Sequence, residues 1–239
     1  MKRIKIAFVA MLAVILMGVT FTSCLKSEKD NTIYAYVTIN TSMGYIARVT
    51  TDDGYRLEPQ NALQMILSNG SIPERAYIAF ELLEGETLSL NAPAKISFKQ
   101  YYDILYVRDM SPDPVETVTP LLALSESIWS ANEYLNVAAA YYTYTGDSPE
   151  DFSLYIDKVE ENIIYFKIAF TRTVEKSPTY STKSLSFILD SEENIKTEYP
   201  DLTPDSNGYY SAVLIADGVN QSGEPIDLKS NTSKIKFPN

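Results

Sequence analysis

Histidine is absent from this chain of 239 residues, and cysteine occurs only once, at Cys24. Without histidine the chain cannot form a Ser-His-Asp triad, a Cys-His pair or a zinc site that contains histidine. If Cys24 carries lipid, its thiol is not free either, so only carboxylate, lysine, serine or tyrosine chemistry remains available. The commonest pairs of general base and nucleophile are then absent, and we expect no catalytic residues, no metal and no cofactor.

Basic residues are scarce as well. The chain has 20 Lys and Arg against 31 Asp and Glu, which gives a formal net charge of −11. Nucleic-acid binding requires Lys and Arg to neutralise phosphates, and a surface with an acidic excess repels polyanions. Nucleic acid is therefore excluded as a partner.

One long apolar run is present, from Ile6 to Thr20. Three basic residues precede it, and the small residues Thr22 and Ser23 follow it. This order is typical of a secretory signal, and the run is shorter than the roughly 20 apolar residues of a membrane-spanning helix. The sequence predicts that residues 1–23 are a lipoprotein signal peptide.

Cys24 follows directly after those small residues, and this arrangement resembles the lipobox of bacterial lipoproteins. The alternative is a stray thiol in an ordinary signal peptide. We expect lipid on Cys24, a polar tether over residues 24–31 and attachment to the outer membrane, because several acyl chains hold a protein on a membrane almost permanently. The stretch from Lys26 to Asp30 mixes both charge signs. A periplasmic and a cell-surface orientation both stay open.

The mature region is predicted to be all-β. Apolar residues alternate with polar ones, as at Ile33, Ala35, Val37 and Ile39, which indicates half-buried strands. Over residues 32–109 the pattern gives three strands, a short helix near Ala62 to Leu67 and two more strands. This is the order of a five-stranded OB-like barrel.

A Pro-rich linker is predicted at residues 110–120, because three prolines interrupt the alternation there. Beyond it, residues 121–239 contain about six short strands separated by polar turns, which favours an immunoglobulin-like β-sandwich. Ser125 to Ala140 also fits a helix locally. The tyrosines that follow favour a strand.

The order of these features resembles the NigD-like lipoproteins of Bacteroidetes. The matching segments are Cys24, Thr51-Asp52-Asp53-Gly54, Tyr102-Asp103-Ile104-Leu105, Asp113-Pro114-Val115-Glu116 and Trp129 leading to Tyr134-Leu135. The resemblance covers essentially the whole mature chain. It implies a non-enzymatic envelope lipoprotein, with no catalytic residues to transfer and no assigned ligand.

Tyrosine is the most abundant aromatic residue, with 18 copies against nine phenylalanines and one tryptophan. Tyrosines on the outer face of a sheet can stack on sugars or anchor a protein partner, although exposed tyrosines also simply suit strands. The candidate ligand-binding residues are Tyr34, Tyr36, Tyr45, Tyr55, Tyr142 and Tyr144. Tyr45 and Tyr55 are placed near the second and third strands, the face with which OB-type barrels bind oligosaccharides.

A second candidate is the oxygen-rich loop at Asp201, Asp205, Asn207 and Gly208. It lacks the ligand spacing and the final glutamate of an EF-hand, so we interpret it as an ordinary turn rather than a calcium site.

These observations favour a non-enzymatic envelope lipoprotein that binds a glycan or another envelope protein. One alternative is a fimbrial-type structural subunit that assembles by strand addition. Another is an acidic-site glycoside hydrolase, because 31 acidic residues can always supply a carboxylate pair.

Overall fold

The computed structural model of the chain describes residues 31–142, 151–173 and 179–238. The signal segment, Cys24 and Tyr144 lie outside the described residues. The strands of the first half are β1 (Ile33–Ser42), β2 (Tyr45–Thr51), β3 (Arg56–Pro59), β4 (Arg75–Leu82) and β5 (Ala94–Asp109). Those of the second half are β6 (Ala123–Leu124), β7 (Trp129–Ala131), β8 (Tyr134–Tyr142), β9 (Phe152–Glu160), β10 (Ile163–Phe170), β11 (Tyr180–Ile188), β12 (Tyr210–Val219), β13 (Pro225–Lys229) and β14 (Ser233–Ile235).

The first five strands close into a barrel. They follow the order β3-β2-β1-β4-β5, and a pairing between β3 and β5 closes the sheet. A 3-10 helix, Ala62–Met65, lies between β3 and β4, where a short helix is predicted. The alternation along β1 is realised as predicted, because Val37 and Ile39 are buried in the barrel core. The five-stranded OB-like barrel is confirmed.

The second half is a β-sandwich. One sheet continues from β5 through β11 and β8 to β6, and the other has the order β13-β12-β10-β9. Side chains from both sheets share one core, with Val137 and Phe187 on one side and Phe166 and Leu214 on the other. The end of the segment from Ser125 to Ala140, for which a strand is predicted rather than a helix, lies in strand β8, which confirms that prediction.

Among the described strands, three pairs are parallel: β3 with β5, β5 with β11, and β10 with β12. The sequence pattern does not indicate these pairings, because alternation shows which face of a strand is buried but not which strand lies beside it. The pairing of β5 with β11 carries the barrel sheet directly into the sandwich.

The barrel and the sandwich have separate hydrophobic cores, although Thr32–Asn239 forms one compact unit. The Pro-rich segment is attached to the sandwich by hydrogen bonds from the backbone N–H groups of Ser111 and Val118 to the carbonyl oxygens of Leu154 and Phe170. The division into a domain at 32–109 and a domain at 121–239 stays a prediction.

Local hydrogen bonds explain a short helix and a polar turn in the second half of the chain. Helix α1 (Glu192–Glu198), which the sequence pattern does not indicate, begins where the Ser191 hydroxyl accepts a hydrogen bond from the N–H of Asn194. In the loop considered for calcium, one Asp205 oxygen accepts hydrogen bonds from the N–H groups of Asn207 and Tyr209, both at 3.0 Å. These are the hydrogen bonds of an ordinary turn, and the absence of a calcium site stays a prediction. Within the three described ranges, no helix is long and apolar enough to cross a membrane.

A candidate aromatic binding site

Five aromatic side chains form a continuous row across the outer face of the barrel and onto the sandwich. In spatial order the members of this aromatic row are Tyr102, Tyr34, Tyr77, Tyr36 and Trp129. Their ring centroids are separated by 5.2 Å, 6.3 Å, 4.6 Å and 5.0 Å in that order. Tyr77 also lies 6.2 Å from Tyr102, so the first three rings form a triangle from which Tyr36 and Trp129 extend. These distances lie within the range of favourable ring contacts.

Strand register explains how three of the rings meet. Tyr34 and Tyr36 alternate with the inward residues of β1, so both point to the outer face. Tyr77 lies between the buried residues Ala76 and Ile78 of β4 and points outward as well. Because Tyr36 is directly opposite Tyr77 in the antiparallel pair, the two rings are in contact.

A β-bulge in β5 supplies the fourth ring. Tyr77 pairs with Asp103 and Ile78 pairs with Tyr101, so Tyr102 is an extra residue between them. Tyr101 points inward, and its hydroxyl donates a hydrogen bond to the carbonyl oxygen of Met65 at 2.6 Å. Tyr102 is 53% exposed on the outer face. Its hydroxyl lies 3.4 Å from the hydroxyl of Tyr34.

The bulge also places a carboxylate beside the row. Asp103 is exposed, and its Oδ2 accepts a hydrogen bond from the hydroxyl of Ser184 in β11 at 2.6 Å. The pKa of Tyr36 is raised, first by burial and then by the negative charge of Asp103. The pKa of Tyr77 is raised by burial and by Tyr102. The hydroxyl groups of both tyrosines are therefore protonated near neutral pH and can donate hydrogen bonds.

The two ends of the row differ in exposure. Tyr34 and Tyr102 are 45% and 53% exposed, whereas Tyr36, Tyr77 and Trp129 are partly buried. At the exposed end about half of each side chain is accessible to solvent, whereas the other end is held against the rest of the protein. Such an arrangement can stack on a ligand and donate hydrogen bonds to it.

Beneath the partly buried end lies a polar cluster centred on Arg75, which is completely buried. Its Nη1 donates to Asp52 Oδ1 at 2.6 Å and to the hydroxyl of Thr38 at 2.8 Å. Its Nη2 donates to Asp52 Oδ2 at 3.0 Å and to Asn136 Oδ1 at 2.8 Å. The indole Nε1 of Trp129 donates to Asp52 Oδ2 at 2.8 Å. We call these five residues the Arg75 cluster; it joins the barrel to the sandwich.

The remaining tyrosines considered in the sequence lie elsewhere. Tyr45 is 75% exposed at the start of β2, and Tyr55 is partly buried just before β3. Tyr142 is 37% exposed at the end of β8, where it is paired with Tyr180 of β11. Tyr144 lies outside the described residues. The structure brings together Tyr34 and Tyr36 of the six, and their role in binding stays a prediction.

Sequence reasoning did not identify Tyr77, Tyr102, Trp129 or Arg75 as site residues. Tyr77 could have been found, because it alternates with apolar residues in a predicted strand. Tyr102 could not, because its outward direction depends on the bulge. In the part of the chain that the structure describes, no group of three carboxylate, histidine or cysteine side chains is arranged to hold a metal ion.

The fold is shared with solved proteins from Bacteroides. A Bacteroides fragilis protein named as a lipoprotein has a TM-score of 0.53 and 15% identity, with 86% of this chain and 98% of that chain covered. A Bacteroides vulgatus protein of unknown function has a TM-score of 0.53 and 16% identity, with 87% and 92% covered. A NigD-like immunity protein from Bacteroides caccae has a TM-score of 0.51 and 15% identity, with 85% and 93% covered.

None of these three proteins is named for a catalytic activity. No protein-family model and no curated protein sequence matches the chain. At these identities the likeness is one of fold, and the coverage extends over nearly all of each solved chain. The resemblance to NigD-like lipoproteins is therefore confirmed at the level of the fold: the chain has the architecture of the NigD-like immunity protein, a β-barrel joined to a β-sandwich.

Proposed function

We propose that this chain is a non-enzymatic lipoprotein, anchored to the outer membrane through Cys24, whose aromatic row binds a neutral glycan. The observation that carries the proposal is the row itself. Five rings in consecutive contact, two of them about half exposed, form an extended aromatic surface on a rigid sheet. Aromatic side chains lose little conformational freedom on binding, so a surface of this kind favours ligand stacking.

The chemistry of the row fits a sugar. The ring faces of Tyr34 and Tyr102 can contact the apolar C–H face of a pyranose, while their hydroxyl groups can hydrogen-bond to its hydroxyls. Asp103 adds an exposed acceptor beside the rings. The acidic excess of the chain disfavours anionic polysaccharides, which leaves neutral glycans as the fitting class.

This surface differs from the one suggested by the sequence. Tyr45 and Tyr55 were placed on the face of β2 and β3, whereas the row lies across β1, β4, β5 and β7. We favour the row as the binding surface because contacts between its rings hold them in place, whereas Tyr45 is 75% exposed to solvent.

Assembly by strand addition is less well supported. It requires a free sheet edge whose backbone groups can pair with another chain. Strands β9 and β13 form the two edges of the second sheet, and the backbone N–H of Ser111 already donates to the carbonyl oxygen of Leu154 in β9. Strand β13 is the shorter of the two. It contains Pro225, which lacks a backbone N–H, and Lys229, and both residue types discourage pairing at an edge.

The test is a binding screen with the chain from Asn31 onward, which includes the whole compact unit. Immobilised neutral polysaccharides (mannan, xylan and β-glucan) are compared with anionic pectin and heparin. We expect binding to at least one neutral polysaccharide, with unchanged length of the bound glycan after prolonged incubation. Tyr102→Ala should weaken this binding about tenfold, because it removes one of the two half-exposed rings that would stack on the ligand. Tyr45→Ala is the matched control and should have little effect.

Shortening of the bound glycan would contradict the non-enzymatic part of the proposal. Binding that is lost in Tyr45→Ala and retained in Tyr102→Ala would move the site to the face of β2 and β3. A lack of binding to every neutral polysaccharide would contradict the proposed function itself.

A further inference from the structure

The aromatic row is built from both halves of the chain. Four of its rings belong to β1, β4 and β5 of the barrel, and the fifth, Trp129, belongs to β7 and pairs with β8 of the sandwich. A binding site with rings from both the barrel and the sandwich requires a contact that holds Trp129 in place relative to the barrel rings. The contacts of Trp129 identify the residue that provides it.

Trp129 is held at two different places on its indole. Its ring centroid lies 5.0 Å from that of Tyr36, and its Nε1 donates a hydrogen bond to Asp52 Oδ2 at 2.8 Å. The ring contact with Tyr36 limits how far the indole can move, and the hydrogen bond to Asp52 fixes the direction in which its N–H points. An acceptor that carries a negative charge makes this hydrogen bond stronger than one to a neutral group.

Asp52 is itself fixed. Its two oxygens accept from Nη1 and Nη2 of Arg75 in a bidentate arrangement, and only 15% of its side chain is exposed. A bidentate guanidinium restrains both the position and the rotation of a carboxylate. The orientation of Trp129 therefore depends on a carboxylate in the β2–β3 turn of the barrel, although Trp129 belongs to the sandwich.

From these contacts we propose that Asp52 is a positioning residue, which orients Trp129 so that the aromatic row binds an extended oligosaccharide rather than a single sugar. The inference rests on the proposed function. Tyr102, Tyr34 and Tyr77 are mutual neighbours with centroid distances of 5.2 to 6.3 Å. Tyr36 and then Trp129 extend the surface beyond Tyr77 at distances of 4.6 Å and 5.0 Å, so the aromatic surface is longer than one sugar-sized ring and Trp129 forms its far end. Without a fixed Trp129, only the exposed end of the row remains as a binding surface. That end is long enough for a short ligand but not for an extended one.

The experiment exploits the fact that Trp129 is the only tryptophan of the chain. The full-length protein in detergent micelles is compared with Asp52→Ala, Trp129→Phe, the double variant, and Thr38→Val as matched control. Thr38→Val removes a partner of Arg75 but leaves the acceptor of the indole in place. Tryptophan emission and near-ultraviolet circular dichroism are measured first, without ligand. Binding of gluco-, manno- and xylo-hexasaccharides and of the corresponding disaccharides is then measured.

We expect Asp52→Ala to shift tryptophan emission to the red and to reduce the near-ultraviolet signal, with both signals kept in Thr38→Val. Asp52→Ala should weaken hexasaccharide binding about tenfold and disaccharide binding much less. This loss should nearly vanish when Phe replaces Trp129, because the two substitutions then act through one interaction. Should Asp52→Ala fail to fold, Trp129→Phe, which keeps the Arg75–Asp52 pair, must by itself weaken hexasaccharide binding selectively.

Unchanged emission in a folded Asp52→Ala protein would overturn the positioning role. An equal loss for hexasaccharide and disaccharide would overturn the claim about ligand length. A loss of the same size in the Trp129→Phe background would overturn the claim that Asp52 acts through Trp129. If no hexasaccharide binds the unmodified protein, the proposed function fails, while the measurements without ligand still decide whether Asp52 orients Trp129.

Discussion

Arg75 and Asp52 form a bidentate ion pair with Nη1–Oδ1 and Nη2–Oδ2 distances of 2.6 Å and 3.0 Å, and the side chain of Arg75 has no solvent exposure. The guanidinium also lies 5.1 Å from the ring centre of Tyr134, which belongs to the sandwich. Burial of a cation is costly unless it is paired and hydrogen-bonded. The barrel supplies the charge partner, and the sandwich supplies Asn136 and Tyr134.

Removal of the carboxylate from this pair should destabilise the protein strongly. Asp52→Ala leaves Arg75 buried without a counter-charge, and we expect the free energy of unfolding to fall by about 3–5 kcal/mol. Urea unfolding followed by far-ultraviolet circular dichroism measures this. The control is Glu81→Ala in the exposed Lys99–Glu81 pair, whose loss should cost about 1 kcal/mol or less. Equal costs at the two sites would show that the Arg75 pair is no more important than a surface contact.

The predicted independence of the barrel can be tested with residues 32–110 alone. This fragment keeps its own hydrophobic core, so we expect it to fold. It loses Asn136 as an acceptor for Arg75 and β11 as the neighbour of β5, so it should unfold at a lower urea concentration than the intact chain. Dispersed NMR spectra of the fragment are the measurement. A disordered fragment would show that barrel and sandwich fold only together.

Asp205 gives a prediction for acid stability. The N–H of Tyr209 and the ammonium of Lys234 hold the pKa of Asp205 below its usual range. Its stabilising effect is therefore complete above the ordinary aspartate pKa of about 3.9 and is lost as pH falls through the lowered value. Asp205→Asn should make thermal stability less dependent on pH below about 4. Melting temperatures measured between neutral and acidic pH test this, with the exposed Asp201→Asn as control. Identical pH profiles for the two variants would contradict the expectation.

Membrane attachment through Cys24 is a separate prediction from the sequence. Cys24→Ala should release the protein from membranes or leave its precursor unprocessed, because the acylated thiol would be missing. Cell fractionation with immunoblotting measures this, and Ser27→Ala, just beyond the cysteine, is the control. A Cys24→Ala protein that is processed and still pellets with membranes would rule out lipid attachment at this residue.

Much of the barrel could be predicted from the sequence. Alternation at residues such as Val37 and Ile39 reports the buried face of a strand directly, and the order of strands and helix then fits one barrel type. The parallel pairing of β5 with β11 could not be predicted, since local pattern does not specify partners distant in the chain. Helix α1 was missed because seven residues are too few to show a clear helical period.

The site could be predicted only in part. Tyr34 and Tyr36 share an outward face by strand periodicity alone. Trp129 and Asp52 are far apart in sequence, and nothing in either segment indicates that the indole donates to that carboxylate. Asp52 lies in the β2–β3 turn. Its additional role in the Arg75 cluster depends on tertiary contacts.

The most direct test of the binding account is to observe which aromatic rings respond to a glycan. NMR spectra of the chain with isotope-labelled tyrosine and tryptophan are recorded while a neutral polysaccharide fragment that binds in the screen is added. The account predicts shifts for Tyr34, Tyr77, Tyr102 and the single indole N–H of Trp129, with little dependence on salt because stacking is only weakly Coulombic. Shifts at Tyr45 and Tyr55 with an unchanged aromatic row would contradict it.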